Sequence, residues 1–496
     1  MDLKESLSIP YAKLLIKKRA TWLKDPVKTQ KKVLQRLIIK AQNTSFGKDH
    51  DFLNIIDYES FKARVPVREY EELRKYIDDM TSGKEDVLWP GKPMYLSKTS
   101  GTTSGAKYIP ITKESMPFHI KSAKMALLSY IAESRSSDFV GGKMIFLQGS
   151  PTLDEKNGLS VGRLSGIVAH HVPKYLQKNR MPSFETNTIE DWEAKVEKIV
   201  EETCNEDLRL ISGIPSWVQM YFERLLIHTG KKTVLEVFPN FSLFVYGGVN
   251  YEPYRSKFEK LIGKSIPSIE LYPASEGFIA YQDSQKEAGM LLELNSQIFY
   301  EFIRTDEFHD KNPKRISIAD VELGVNYVII LNTSAGLWGY NIGDTVKFVN
   351  LTPHRIIVSG RIKHFTSAMG EHVIAEEVEK AMKKANDTFD FSVSEFHVAP
   401  QLSPKDGLPY HEWLIEFDEM PQDIKAVTSK IDAEMCRQNP YYKDLIEGKL
   451  LRELIITSLP KGSFNKYMES QGKLGGQNKV PRLANDRKVA GYFSNQ

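Results

Sequence analysis

Residues 98–107 read Lys-Thr-Ser-Gly-Thr-Thr-Ser-Gly-Ala-Lys, with five hydroxyls, two glycines and two lysines in ten positions. Glycines let the backbone curl so that successive N–H groups converge, hydroxyls add donors, and Lys107 adds charge. Such a composition suits a polyphosphate, although an ordinary Ser/Thr-rich surface turn is built from the same residues. The spacing is not that of a Walker A loop, because Tyr108 follows the lysine where Ser or Thr is needed. The candidate phosphate-binding residues are Ser100, Gly101, Thr102, Thr103, Ser104, Gly105 and Lys107.

Four further constellations gain meaning beside this loop. Tyr246-Gly247-Gly248 ends an apolar run, and a glycine pair there lets a flat ligand approach the backbone or simply makes a tight turn. Tyr272-Pro-Ala-Ser275-Glu276-Gly277 also follows an apolar run. Ligands collect at strand C-termini in α/β sheets, where the Tyr272 ring could stack on a base and the Glu276 carboxylate could hold Mg²⁺ through oxygen. The competing reading is a Ser-Glu helix cap beside a core tyrosine. Tyr340-Asn-Ile-Gly-Asp344 is expected in a turn between two strands, where Asp344 either bonds its own backbone or grips both hydroxyls of a ribose. Arg361 and Lys363 fall at an expected domain joint, and Lys479 lies in a basic tail. A lysine on a mobile segment can neutralise charge on a transferring phosphoryl group, whereas a surface lysine is otherwise simply solvated.

The elements that must hold these residues are legible in outline. The chain has 496 residues, 41% hydrophobic and 26% charged, which fits a multi-domain globular protein. Its 67 basic and 64 acidic residues give a net charge of +3, which argues against a dedicated nucleic-acid or anionic-membrane surface. Two distant cysteines, Cys204 and Cys436, suit a reducing cytoplasm, and no zinc spacing is present. No apolar run approaches the roughly 18–20 residues of a membrane span, and the first residues lack a signal-peptide pattern.

Two amphipathic helices with solvated basic faces are expected up to residue 42, followed by a loop-rich region reaching the phosphate loop. A helix is expected over 114–135, and another opens at the capping-box-like Thr188-Ile-Glu-Asp191. Strand–helix alternation from about 140 to 272 argues for an α/β sheet. The texture turns to β between 290 and 359 and to a separate α+β pattern after 361. The tail from 461 carries a net charge of +5, seven basic residues against Glu469 and Asp486, and suits a frayed or mobile element. The expected boundaries are 1–360 and 361–496.

In this order, the loop, Tyr-x-x-Ser-Glu, Tyr-x-x-Gly-Asp, Gly-Arg-x-Lys and the late lysine resemble the adenylate-forming superfamily. The chain is most similar to its Gretchen Hagen branch, the acyl acid amido synthetases known from plant auxin responses. Trp22-Leu-Lys-Asp-Pro26, Thr44-Ser-Phe-Gly47-Lys-Asp-His50, Phe61-Lys-Ala-Arg-Val-Pro66 and Val87-Leu-Trp-Pro90 carry the resemblance into the N-terminal region. It implies an α/β fold: a large N-terminal adenylate-forming domain with a β subdomain, plus a small mobile α+β C-terminal lid.

By resemblance, the cofactors are ATP and Mg²⁺. The 100–107 loop would cradle phosphates with Lys107 catalytic. Tyr246, Gly247, Gly248, Tyr272 and Ser275 would line the nucleotide pocket, and Glu276 would place the metal. Asp344 would hold ribose with Arg361 in support, Arg361 and Lys363 would form the hinge, and Lys479 would be the mobile catalytic lysine.

Three departures stand out. Thr99 replaces a serine, Asn341 an arginine, and Asn478 a tyrosine. The implied reaction is adenylation of a carboxylic acid followed by acyl transfer to an amine, an amino acid in this branch, by a monomer with no nucleic-acid or membrane partner. No Ser/His/Asp arrangement is found, and none is needed. His119, Lys121, Ala123 and Leu127 are candidates for the acid pocket, against a reading as solvated helix surface. A thiol-accepting acyl-CoA ligase and a non-catalytic nucleotide-binding protein are the rival readings.

Overall fold

The computed structural model describes residues 3–494 apart from 103–104, 173–176, 190, 249–250, 309, 363–364, 367–372, 403, 473–478 and 485. By contact density the chain forms two compact units. The first is Met1–Val249, Glu259–Ile342 and Val346–Ile357, and the second is Asn250–Phe258, Gly343–Thr345 and Val358–Gln496.

In the first unit, the helices Leu3–Leu23 and Pro26–Ala41 lie close to the expected bounds. Asp25 caps the second helix through the Lys28 N–H, with Pro26 in the first turn, where its missing N–H costs nothing. The region expected to be loop-rich instead holds the helices Ser45–Asp49, Tyr58–Arg64 and Tyr70–Thr81. The first two are 5 and 7 residues long, too short for a 3.6-residue period to declare itself.

The strands in chain order are β1 (Tyr95–Thr102), β2 (Gly105–Ile111), β3 (Lys143–Phe146), β4 (Asp154–Lys156), β5 (Leu159–Gly162) and β6 (Arg180–Met181). There follow β7 (Leu208–Ser212), β8 (Leu243–Gly247), β9 (Ser268–Ala274), β10 (Gly277–Tyr281), β11 (Met290–Leu292) and β12 (Ile298–Arg304). Next come β13 (Arg315–Ser317), β14 (Asn326–Thr333), β15 (Tyr340–Leu351) and β16 (His354–Arg361).

A four-stranded sheet has the order β2-β1-β5-β4, and a twelve-stranded sheet the order β13-β12-β14-β15-β16-β11-β10-β9-β8-β7-β3-β6. The expected α/β sheet and β-rich stretch therefore share one hydrogen-bonded sheet. The run β6-β3-β7-β8-β9 is parallel. Its strands carry apolar runs such as Leu243-Phe-Val-Tyr246, because parallel strands are covered on both faces.

On one face, the helices Leu3–Leu23 and Met116–Ser134 pack with Leu210, Leu243, Val245 and Ile269. The helices Trp192–Thr203 and Pro215–Thr229 are joined by Thr203 and Tyr221 hydroxyls 2.7 Å apart. The first of these is capped by Asp191 rather than Thr188, since the Asp191 carboxylate accepts the Ala194 N–H.

Buried polar groups fix the register of the antiparallel strands. Gln30 donates to the carbonyls of Leu294 and Ile298 and accepts the Tyr300 N–H, which pins its helix to β12. Arg315 on β13 makes a two-pronged pair with the fully buried Glu301 on β12, at 2.6 and 2.8 Å. Asn332 of β14 donates to the same carboxylate.

The second unit adds β17 (Phe365–Thr366), β18 (Val373–Ile374), β19 (Ser392–Gln401), β20 (Tyr410–Glu419) and β21 (Ile455–Leu459). The last three form a sheet whose core joins Phe396, Trp413 and Ile415 to Val378, Val427 and Ile431 of the helices Ala375–Thr388 and Ile424–Gln438. The tail differs from a frayed terminus. It folds into the helices Ser463–Ser470 and Lys488–Ser494, with Phe464, Met468, Val480 and Val489 buried in one cluster with Ala399 of β19 and Leu414 of β20. Widely spaced apolar residues among glycines and charges concealed that packing in the sequence.

Candidate functional site

The phosphate-loop candidates form a β-hairpin rather than a loop. β1 and β2 pair antiparallel from Tyr95↔Ile111 to Thr99↔Lys107, then again at Thr102↔Gly105, with a register irregularity between Thr99 and Thr102. Ser100, Gly101 and Thr102 lie on β1, while Gly105 and Lys107 lie on β2. Thr103 and Ser104 fall outside the described residues. A glycine-bearing bulge beside the tip explains how one stretch reads as a loop by composition and as a strand by pairing. Tyr70 buttresses the hairpin: its hydroxyl accepts the Tyr108 N–H at 2.9 Å, and the Lys107 ammonium lies 5.6 Å over its ring.

The hairpin is tied to the next motif. Ser97 on β1 and Ser275 in the β9–β10 turn bring their hydroxyl oxygens to 2.9 Å. Glu276 is therefore adjacent in sequence to a residue in contact with the hairpin base. Tyr272 on β9 is 7% exposed, with its ring in the core beside Ile279 and Ala280.

β8 runs parallel to β9 with Gly247 opposite Leu271. A Cβ at Gly247 would meet the Leu271 carbonyl oxygen at 2.6 Å, so close strand packing accounts for this glycine. Gly248 has φ +78°, a left-handed conformation that disfavours any side chain. Tyr246, Gly247, Gly248, Tyr272, Ser275 and Glu276 thus gather at the carboxyl edge of neighbouring strands, with the hairpin beside them.

Asp344, Arg361 and Lys479 belong to the second unit. The expected turn at 340–344 is a strand, because β15 begins at Tyr340. Gly343, with φ +84°, supplies the local irregularity that reads as a turn in the sequence. Asp344 is 6% exposed, and the next residue, Thr345, brings its hydroxyl within 3.0 Å of Ser359 on β16. The expected domain joint is likewise extended as far as Arg361, whose backbone ends β16. Lys363 and Asn478 lie outside the described residues.

Lys479 is exposed and opens a run zipped onto β19. His397 and the Pro481 carbonyl lie 2.6 Å apart, the Val398 N–H donates to Arg482, and the Ala484 N–H donates back to Val398.

The helix Met116–Ser134 starts where Thr112 and Ser115 exchange hydrogen bonds between their backbone N–H groups and hydroxyls. His119 on it is buried rather than solvated, and burial pushes its imidazole down to about 4. Lys121 is exposed, and Ala123 and Leu127 are half-buried.

Beneath the helix lies a charged cluster that sequence reasoning missed. Arg19, expected on a solvated face, donates to Ser129, Tyr281 and Asp283 at 3.0, 3.3 and 3.0 Å. Arg355 pairs with the other Asp283 oxygen at 3.0 Å. Nearby Glu293 is buried, and that burial raises its carboxyl to about 7 against the Asn295 N–H and the charges of Lys121 and Arg19. These partners lie up to 264 positions apart, so no local pattern announces them.

Among the described residues, no group of three or more His, Cys, Asp or Glu side chains is arranged to hold a metal. No helix among them is long and apolar enough to cross a membrane.

Known proteins carry the same architecture. Residues 16–189 match the GH3 family N-terminal domain, 291–361 its central domain and 376–488 its C-terminal domain. A jasmonoyl–L-amino acid synthetase, JAR4 of Nicotiana attenuata, is 24% identical, covering 92% of this chain and 91% of its own. The indole-3-acetic acid-amido synthetase GH3.15 of Arabidopsis thaliana is 22% identical over 91% of this chain and 89% of its own.

Among solved structures, the GH3.15 acyl acid amido synthetase superposes with a TM-score of 0.77 at 16% identity, covering 97% of this chain and 96% of that one. A 2-hydroxyisobutyryl-CoA ligase in a postadenylation state reaches 0.61 at 12% identity, covering 94% and 91%. The chain belongs to the GH3 family, the branch that its motifs resemble.

Proposed function

We propose that this chain is an acyl acid amido synthetase that activates a carboxylic acid with ATP and passes the acyl group to an amino acid. The observation that carries the reading is the Ser97–Ser275 contact, which holds the hydroxyl- and glycine-rich hairpin against the turn bearing Glu276. On this reading the hairpin would supply the donors for phosphate, beside the turn that carries the carboxylate.

In the first step a substrate carboxylate oxygen bonds to the α-phosphorus of ATP, and the bond to the β-phosphate oxygen breaks to release pyrophosphate. Two anions meet, so the groups that matter are those that screen charge without moving. We assign that role to the hairpin residues 100–105 and to Lys107, with Tyr246, Gly247, Gly248, Tyr272 and Ser275 shaping the nucleotide pocket. A Mg²⁺ ion is held by one or two carboxylates and takes its other oxygens from phosphates and water. Glu276 is its proposed protein ligand, and the ion would supply further charge neutralisation.

In the second step the amine nitrogen attacks the acyl carbon, AMP leaves with the bonding electrons, and the ammonium loses a proton. The acid is proposed to lie along the helix Met116–Ser134, where His119 is neutral and offers a hydrogen bond rather than a charge. Asp344 is assigned to the ribose, Arg361 and Lys363 to the joint, and Lys479 to the transferring phosphoryl group. The proposed division of labour is 1–360 for ATP and acid and 361–496 for the lid. A cytoplasmic monomer is the proposed working form.

The test is product identification. Incubation with ATP, Mg²⁺, a panel of carboxylic acids and pooled amino acids should give an amide detectable by mass spectrometry. A coenzyme A thioester in place of the amide would move the chain to the thiol-accepting class. ATP binding with neither product would leave a nucleotide-binding protein without turnover.

A further inference from the structure

The chain order around β3 makes that strand a topological switch point. From β3 the chain passes to β6 on one side and then returns to β7 on the other, all parallel. Crevices outside the carboxyl ends of such strands are where α/β sheets bind ligands. The carboxyl end of β3 is followed by Leu147, Gln148 and Gly149. β8 is two strands away, roughly 10 Å at the usual spacing, and β9 is three.

At this end the polar groups do not balance. Lys195, 2% exposed, donates to the backbone carbonyls of Gln148 and Asn187 at 3.1 and 2.7 Å. That leaves one ammonium donor, and among the described residues no carboxylate pairs with it. Burial and the neighbouring Arg163 push its ammonium down to about 8. Three buried side-chain atoms of nearby residues lack any hydrogen-bond partner: Gln148 Nε2, Ser165 Oγ and Asn187 Oδ1. A buried polar atom calls for a partner, and here three belong to residues that touch Lys195 or the turn at Gly149.

Gly149 lets the wall close in. A Cβ there would meet Arg163 Cδ at 3.0 Å and Ser165 Oγ at 3.5 Å. Arg163 is exposed, and Gln148 and Ser165 are half-buried, so these residues reach the surface while the unpartnered atoms lie just beneath it.

We propose that Gln148, Arg163, Ser165, Asn187 and Lys195 form a carboxylate-accepting subsite on the carboxyl edge of β3, apart from the nucleotide motifs. The free groups comprise an amide N–H, a hydroxyl, an ammonium and a guanidinium, with Asn187 Oδ1 the one acceptor. Donors in that excess, around two positive charges, suit a small planar anion whose two oxygens each take more than one hydrogen bond. This inference rests on the amido synthetase reading, under which two carboxylates qualify: that of the amino acid acceptor, or a second one on the acyl acid.

Calorimetric titration of the full chain separates these sources. The probes are amino acids beside their carboxamides, and dicarboxylic acids beside their monomethyl esters. One charged member should bind at least about tenfold tighter than its neutral partner, as expected for a site built to hydrogen-bond the missing group. Gln148→Met and the milder Ser165→Ala, each checked for an unchanged melting temperature, should cut that ratio about fivefold or more. Discrimination confined to the amino acids identifies the acceptor, and confined to the diacids it identifies the acyl substrate. Equal binding of charged and neutral members, no binding, or a ratio that both variants leave intact would overturn the subsite. Acid-dependent pyrophosphate exchange by the unsubstituted chain tests the ligase reading separately.

Discussion

At the scale of single residues, the account rests on charges placed where ATP would carry its own. Asp344→Ala should raise the KM for ATP tenfold or more, because a buried carboxylate that accepts from two hydroxyls makes strong charge-assisted bonds. An unchanged KM would remove Asp344 from the site. Lys479→Ala should slow adenylation by roughly 10²-fold with the KM for ATP little altered, as for the loss of one group that screens transition-state charge. A wild-type rate would take Lys479 out of the mechanism.

Glu293 supports a different test. Burial holds its folded-state value near 7 against an ordinary 4.5, so the folded protein favours the neutral acid. Its contribution is complete below pH 4.5 and is lost as pH rises through 7, a decline of about 3 kcal/mol. Glu293→Gln should flatten that part of the stability–pH profile measured by denaturant unfolding, and an identical slope in both proteins would refute the assignment. Residues clustered in sequence, such as 98–107 and 272–277, announce a candidate chemistry by type and spacing. Arg19, Asp283, Glu293 and Lys195 do not, since their partners lie on other elements and helical periodicity assigns a lone charge to solvent.

At the scale of elements, the proposed nucleotide site depends on the packing of β8 against β9, with the β1–β2 hairpin tied beside them through Ser97 and Ser275. Gly247→Ala puts a methyl group within 2.6 Å of the Leu271 carbonyl oxygen, and backbone cannot yield as a side chain can. The substitution should destabilise the protein by about 1–3 kcal/mol, the usual range for overpacking, and raise the KM for ATP by shifting β8 against β9. A thermal midpoint and a KM both equal to wild type would mean that the contact is relaxed at no cost. Elements with long apolar periods matched expectation closely, as in Pro26–Ala41 and Met116–Ser134. The misread strands share a cause: glycine was taken as punctuation. Gly101 and Gly105 lie within a paired hairpin, Gly343 within β15 and Gly360 within β16, so each supplies an irregularity in a strand without ending it. Tertiary pairing overrode the local signal.

At the scale of the whole molecule, the change of texture near residue 290 marks the β subdomain of the N-terminal region. Its strands join the parallel ones in a single sheet, across β9–β10 and β10–β11. Pattern alone could not reveal this, because alternation reports which faces are buried and not which strand is the neighbour. The central claim is that the sheet edge beside the hairpin joins a carboxylate to AMP. The most direct measurement is ATP–pyrophosphate exchange with and without each of a panel of carboxylic acids, in the wild type and in Lys107→Ala. The account predicts exchange that requires one class of acid and falls about 10²-fold or more in the variant, as expected when a fixed cation at the reacting phosphates is lost. Exchange that needs no acid, ATP cleavage to ADP and phosphate, or a full rate in Lys107→Ala would contradict it.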